Sequence, residues 1–109
     1  MRRGLDWLSG RVPAGERCLE ELVLKVKQAM VQRWANAGRK AADAGPLKGI
    51  VDYCVDPIVT NDVIGTPHSS VLDSLSTNVM QGDMVKILSW YDNEWGFSNR
   101  MVDALLKMA

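Results

Sequence analysis

The sequence predicts an α+β fold with a mixed, mostly antiparallel sheet and helices on one face. The chain has 109 residues, enough for one small domain or for part of a larger protein. Its hydrophobic pattern changes at Gly45-Pro46 from a helical repeat to a two-residue repeat. The resulting order is a strand, a helix, several strands and a final helix. Consecutive strands without helices between them favour antiparallel pairing.

The first predicted elements are one strand and one helix. Over 22–27, Leu22, Leu24 and Val26 share one face and the two lysines share the other, which predicts a half-buried strand. An amphipathic helix is predicted over 29–44, where Gly45-Pro46 ends it. Its apolar positions recur at helical spacing: Met30, Trp34, Ala37 and Ala41.

Short strands are predicted in the middle of the chain, over 50–53 and over 58–60 beyond Pro57. Alternating residues over 75–80 and the run 84–91 flank a Gln-Gly-Asp turn, which predicts a β-hairpin. So few helices cover only one face of a sheet. The other face is expected to carry Trp90 or Tyr91, depending on register, and to meet another subunit or another part of the protein.

A closing helix is predicted after Ser98, a residue type that favours the N-cap position. Its apolar residues fall on one side: Met101, Val102, Leu105, Leu106 and Met108.

Charge and cysteine content exclude several classes of protein. Thirteen Lys and Arg balance thirteen Asp and Glu, so no surplus of positive charge favours a nucleic acid or a membrane surface as partner. The two cysteines, Cys18 and Cys54, form neither a disulfide framework nor a Cys-x-x-Cys metal or redox motif. We therefore expect no metal site and a reducing, cytoplasmic setting.

The run from Trp90 to Arg100, Trp-Tyr-Asp-Asn-Glu-Trp-Gly-Phe-Ser-Asn-Arg, closely resembles the C-terminal signature of phosphorylating glyceraldehyde-3-phosphate dehydrogenases. The resemblance extends to four further segments in the family's order: 45–50, 56–59, 67–70 and 85–89. It divides the chain into an unmatched segment 1–10, a partial catalytic domain 11–97 and a C-terminal helix 98–109. In the family, that helix packs on the nucleotide-binding domain.

The family oxidises an aldehyde through a cysteine thiolate, passes hydride to a nicotinamide and releases the acyl group to phosphate. The sequence contains neither a Gly-x-Gly-x-x-Gly loop nor the family's Ser-Cys-Thr-Thr-Asn nucleophile motif, and the base histidine is also missing. The resemblance therefore implies a C-terminal fragment of an NAD- or NADP-dependent enzyme that is inactive alone and binds no cofactor tightly. Its implied partners are the nucleotide-binding domain or full-length subunits of a homotetrameric family.

Two functional positions of the family fall on matching residues. Arg11, in Arg11-Val12-Pro13, resembles the arginine that binds a phosphate group of the substrate, and a guanidinium fork suits such an anion. Asn93 resembles the asparagine that hydrogen-bonds the nicotinamide carboxamide. The alternatives are a solvated surface arginine at position 11 and a turn residue at position 93.

The sequence also permits other interpretations. Phe97 stands where the family often has tyrosine, and erythrose-4-phosphate dehydrogenases also carry phenylalanine there, so a fragment of that relative is an alternative. A non-catalytic module that pairs through its sheet face is another, and so is a chain whose N-terminal third is altered. Cys54 and His68 lack the spacing of a nucleophile and base, and Cys18 adds no metal motif to them.

Overall fold

The computed structural model describes residues 7–14, 17–27 and 31–109. The elements in these ranges are β1 Trp7–Ala14, β2 Arg17–Lys25, α1 Gln32–Ala44, β3 Val51–Cys54, β4 Ser70–Met80, β5 Met84–Asp92 and α2 Trp95–Met108. A short 3-10 helix, Thr60–Val63, lies between β3 and β4.

The strands form one five-stranded sheet in the order β1-β2-β5-β4-β3. β3 and β4 are parallel and the other neighbours are antiparallel. The predicted α+β fold with a mixed, mostly antiparallel sheet is confirmed. β1 was not predicted, because Gly10 and Pro13 are residue types that strands usually avoid. β1 is an edge strand, where both types are tolerated.

α1 lies against β3 and β4 and faces apolar residues of β2 and β5, among them Leu24 and Val85. Ala35 is buried in this contact, whereas Ala37 and Ala41 are exposed. The predicted apolar stripe is therefore wrong at these two alanines. Alanines occur on several faces of this helix, so hydrophobicity alone does not distinguish the packed face. Met30 and the side chain of Trp34 lie outside the described residues.

The predicted strand over 58–60 is wrong, because the chain turns there into the 3-10 helix. The Asp62 carboxylate accepts the backbone N–H of Val59 at 2.8 Å and closes this turn. Val63 is only 2% exposed and contributes to the contacts of the turn with β2 and β5. A preceding Pro57, which has no N–H to donate, also disfavours a strand.

The predicted hairpin of β4 and β5 is confirmed, and its first strand begins earlier, at Ser70. Gln81 and Gly82 in the turn have φ angles of +52° and +80°, a conformation that glycine adopts readily. The pairing shifts register between Asp73 and Asn78. The Asp73 carboxylate accepts the N–H groups of Leu75 and Ser76 at 3.0 Å, which satisfies backbone donors within this irregularity.

Register places the two aromatic residues at the end of β5 on opposite faces of the sheet. Tyr91 lies opposite Cys18 of β2, and Trp90 lies opposite Leu19. Trp90 is half-buried, and its indole N–H points to an oxygen of Asp73 at 3.5 Å. Cys18 and Tyr91 therefore lie on one face of the sheet, and Trp90 lies on the other face.

α2 begins at Trp95, so the predicted N-cap at Ser98 is wrong. One oxygen of the Asp92 carboxylate accepts the backbone N–H groups of Glu94 and Trp95 at 3.0 and 2.8 Å and starts the helix earlier. The Ser98 hydroxyl instead donates to the Glu94 carbonyl at 2.8 Å. The predicted apolar residues of α2 are all exposed: Met101, Val102, Leu105, Leu106 and Met108. Within the described residues, neither this helix nor any other has the length and apolar character needed to span a membrane.

Candidate functional site

The candidate site lies where β1, β2 and β5 run side by side. Arg11 of β1 is exposed and lies directly opposite Glu20 of β2. Its guanidinium reaches along β2, and the Nε–H and Nη2–H groups donate to the sulfur of Cys18 at 3.2 and 3.1 Å. One edge of the guanidinium is thus fixed against β2.

Cys18 is fully buried, and three side chains converge on its sulfur. Besides Arg11, these are Tyr91, which lies opposite Cys18 on β5, and Asn93 just beyond the end of β5. Burial alone pushes the pKa of the Cys18 thiol upward, but the hydrogen bonds from Arg11, Asn93 and Tyr91 outweigh it and hold the pKa below its ordinary value of 9.0. The cluster therefore stabilises negative charge on the sulfur.

The same contacts affect the two neighbours of the thiol. Burial and the hydrogen bond to Cys18 raise the pKa of Tyr91 above its ordinary value of 10.0. The hydrogen bond to Cys18 also raises the pKa of Arg11, so the guanidinium stays positively charged. Hydrogen bonds to the Cys18 sulfur of β2 thus connect Arg11 of β1 and Tyr91 of β5 across three adjacent strands.

Asn93 is held in place by the residue before it. Asp92 is buried, with 7% of its surface exposed, and its second carboxylate oxygen accepts the Gly65 N–H at 2.9 Å. Its first oxygen accepts the backbone N–H groups of Glu94 and Trp95. The carboxylate therefore connects the turn around Asn93 both to the start of α2 and to the loop after the 3-10 helix. Hydrogen bonds from backbone N–H groups to an ionised carboxylate are stronger than those between neutral groups, so they stabilise this turn.

A cavity of about 270 Å³ opens beside Asn93. Its lining residues come from the end of β5, the first turns of α2 and the loop before β4: Ser69, Tyr91, Asp92, Asn93, Gly96, Phe97 and Arg100. Gly96 makes a close approach possible, because a Cβ there would lie 2.9 Å from the His68 carbonyl oxygen. The cavity therefore combines an amide side chain with an aromatic ring.

The structure brings together the two site residues that the sequence predicted, since Arg11 and Asn93 both contact Cys18. Sequence reasoning did not identify Cys18, Tyr91 or Asp92 as parts of this site. For Asp92 a signal existed, because Asp followed by Asn favours a turn with a carboxylate cap. Cys18 and Tyr91 carried no comparable signal, since their proximity depends on the pairing of β2 with β5.

The remaining candidates form no second site in the described part of the chain. His68 is half-buried, and its Nδ1 atom lies 3.1 Å from the Thr66 hydroxyl. The Cys54 sulfur makes a long contact of 3.5 Å to the Asp56 carbonyl. Within residues 7–14, 17–27 and 31–109, no three His, Cys, Asp or Glu side chains are grouped as metal ligands would be.

Fold and site together define an α+β domain in which an arginine and an asparagine converge on one buried cysteine. A family model described as "Glyceraldehyde 3-phosphate dehydrogenase, C-terminal domain" matches residues 2–93. The chain belongs to this family. The matched range begins inside the segment 1–10 that the sequence resemblance left unassigned.

Curated relatives give a consistent picture. The chain is 46% identical over 99 residues to glyceraldehyde-3-phosphate dehydrogenase 2 of Streptomyces avermitilis, covering 91% of this chain and 30% of the relative. It is 46% identical over 104 residues to glyceraldehyde-3-phosphate dehydrogenase of Cereibacter sphaeroides, covering 95% and 31%. It is 48% identical over 93 residues to glyceraldehyde-3-phosphate dehydrogenase 1 of Bacillus subtilis, covering 85% of this chain and 28% of the relative. The chain thus spans somewhat under a third of the length of these relatives.

Proposed function

We propose that this chain is the C-terminal part of the catalytic domain of a phosphorylating glyceraldehyde-3-phosphate dehydrogenase, active only with the remainder of that enzyme. In this proposal Arg11 binds a phosphate group of the substrate and Asn93 binds the carboxamide of the nicotinamide. The proposal rests on the family match and on one structural observation, the convergence of Arg11 and Asn93 on Cys18.

Charge and exposure support the role of Arg11. The guanidinium is exposed, and the hydrogen bonds to Cys18 use one edge of its fork. The outer edge, formed by Nη1 and the second N–H of Nη2, points away from that contact and suits two oxygens of a phosphate. Glu20 lies directly opposite Arg11 and weakens the attraction for an anion, so we expect additional cationic groups from the rest of the enzyme.

The surroundings of Asn93 fit a nicotinamide. A side-chain amide both donates and accepts hydrogen bonds, as a carboxamide does, and Phe97 lines the same cavity as Asn93 with an aromatic ring. When bound, the cofactor supplies the hydride acceptor for aldehyde oxidation. The buried Asp92 carboxylate accepts backbone N–H groups around Asn93, which fixes the backbone turn from which the amide projects.

The exposed apolar residues of α2 support a partner for this helix. Leu105, Leu106 and Met108 are 63%, 72% and 84% exposed, more than is usual for such large side chains grouped on one helix. We propose that the nucleotide-binding domain covers them and that the intact enzyme is a cytoplasmic homo-oligomer using NAD or NADP. The names of the relatives favour glyceraldehyde 3-phosphate over erythrose 4-phosphate as substrate, and they give no support to a non-catalytic module.

A chimeric enzyme tests the proposal. Residues 11–109 replace the matching segment of the Streptomyces avermitilis enzyme, and formation of reduced cofactor is followed with aldehyde phosphate and inorganic phosphate. We expect the chimera to turn over and the isolated chain to be inactive. Arg11→Gln should lower kcat/KM about 10- to 100-fold, the loss expected for hydrogen bonds to a charged group.

The exposed Arg33→Gln variant is the control, because it removes the same charge from the surface of α1. Asn93→Ala should raise KM for the cofactor and leave KM for the aldehyde nearly unchanged. An Arg11→Gln chimera as active as the Arg33→Gln chimera would exclude the proposed role of Arg11.

A further inference from the structure

The sulfur of Cys18 is the atom at which the two proposed ligand-binding residues meet. Arg11 approaches it from the edge strand β1, and Asn93 approaches it from the turn beyond β5. Tyr91, on β5 opposite Cys18, is the third side chain that hydrogen-bonds the sulfur. Without Cys18, side chains from distant parts of the chain would lose their common contact.

The contact also fixes the orientation of the guanidinium. Arg11 is an exposed residue on an edge strand, and a long side chain in such a place normally samples many rotamers. Two simultaneous hydrogen bonds, from Nε at 3.2 Å and Nη2 at 3.1 Å, define the plane of the guanidinium group. A planar fork held along one edge presents its other edge in one direction.

We propose that Cys18 is a positioning residue: its sulfur holds the Nε and Nη2 edge of Arg11 next to Asn93, so that the outer edge of the guanidinium is preorganised for an oxyanion. The proposal deepens the role of Arg11 described above and rests on it for the identity of the anion as a phosphate group. Cys18 touches neither substrate nor cofactor in this arrangement and acts through Arg11 and Asn93.

The surroundings of Cys18 argue against a role as nucleophile. The residue is completely buried, so an aldehyde carbonyl has no approach to the sulfur. The side chains that hydrogen-bond it are an arginine, an amide and a phenol with a raised pKa, and none of them is a general base near neutral pH. A buried acceptor surrounded by donors serves instead to orient those donors.

The test is an NMR experiment on the complete 109-residue chain labelled at arginine. The Nε–H signal of Arg11 reports the hydrogen bond to sulfur directly, and titration with sulfate reports binding at the outer edge. Sulfate is the probe because its charge stays constant from acidic to alkaline pH. Cys18→Val removes the acceptor, so we expect the Arg11 signal to move to the position of a free arginine. Sulfate affinity should fall roughly three- to tenfold, as expected for losing one preorganised side chain.

Cys18→Ser should restore most of both effects, because its hydroxyl oxygen offers an acceptor at the same place. Cys54→Ser is the matched control, and we expect it to leave the Arg11 signal and the sulfate affinity unchanged. A pH titration of the wild-type chain tests the same contact without a substitution at Cys18. Because the hydrogen bonds at the sulfur hold the pKa of Cys18 below its ordinary value of 9.0, the Arg11 signal should follow ionisation of Cys18 as the pH is raised toward that value. Tyr91 remains protonated there, because its pKa is raised above its ordinary value of 10.0.

Three results would overturn the proposal. They are an Arg11 signal in Cys18→Val identical to that of the wild type, a wild-type signal that ignores the thiol titration, and a sulfate titration that does not perturb Arg11. The chimera assay separates this failure from failure of the proposed function. An Arg11→Gln chimera that loses activity while Cys18→Val leaves the Arg11 signal unchanged rejects only the positioning role. The opposite pattern rejects only the phosphate-binding assignment of Arg11.

Discussion

The side of the molecule covered by α1 and the side from which α2 extends are held together in different ways. α1 packs small residues such as Ala35 against apolar residues of the sheet. At the end of the sheet where β5 stops, a buried carboxylate at Asp92 and the polar cluster of Arg11, Cys18 and Asn93 make the connections. α2 itself leaves its large apolar side chains exposed.

This difference shows which surfaces are already satisfied within the chain. Ala35 of α1 is buried against the sheet, so this part of the helix already has its packing partner within the chain. The apolar face of α2 has the composition of an interface but the exposure of a surface, which supports our proposal that another domain covers it. Substitutions on the two helices should therefore have unequal effects on stability.

The largest expected effect comes from placing glutamine on the buried face of α1. Glutamine is a good helix former, so the substitution tests packing rather than helix propensity. Ala35→Gln inserts a large amide into the contact with the sheet and should lower the free energy of unfolding by about 2 to 4 kcal/mol. Leu105→Gln on the exposed face of α2 should change it by less than about 0.5 kcal/mol. Urea denaturation measures both, and equal losses would contradict the distinction between the helices.

Glycine substitutions give a smaller effect with opposite signs in the two helices. A Cβ at Gly96 of α2 would lie 2.9 Å from the His68 carbonyl oxygen, so Gly96→Ala should force a backbone shift and cost about 1 to 3 kcal/mol. A Cβ at Gly38 of α1 meets nothing within 4 Å. Gly38→Ala should therefore stabilise the protein by about 0.5 to 1 kcal/mol through better helix propensity. Thermal unfolding checks the signs, and a stabilising Gly96→Ala would refute the close approach.

The smallest expected effect is a pH dependence that arises from the polar cluster around Cys18. Because folding lowers the pKa of Cys18, its ionisation contributes stability that is fully present above the ordinary pKa and is lost as pH falls through the folded pKa. The free energy of unfolding should consequently gain a positive slope with pH in this window. The raised pKa of Tyr91 acts oppositely and only at higher pH, above its ordinary value of 10.0.

Unfolding the wild type and Cys18→Ser in urea at several pH values up to 9.0, the ordinary pKa of the thiol, isolates this contribution. The serine variant should show a flatter slope than the wild type, whereas Cys54→Ser should retain the wild-type slope. Parallel curves for all three proteins would show that folding does not lower the pKa of Cys18.

Much of this protein follows from its sequence alone. The order of α1, β3, β4, β5 and α2 was predictable because each carries a local signal, such as the Gln81-Gly82-Asp83 turn between β4 and β5. Family membership was recognisable from the run 90–100, which needs no coordinates. The resemblance to the family also predicted two site residues, Asn93 within this run and Arg11 in Arg11-Val12-Pro13.

Only the tertiary structure decided which residues surround them. The contact of Arg11 and Asn93 with Cys18 depends on the register of β1 with β2 and of β2 with β5, and pairing between strands far apart in sequence is set by the whole core. The packed face of α1 was likewise undecided, because its alanines look alike until the sheet selects Ala35. Local sequence fixes periodicity and turns, whereas non-local packing selects the face that is buried and the polar groups that meet.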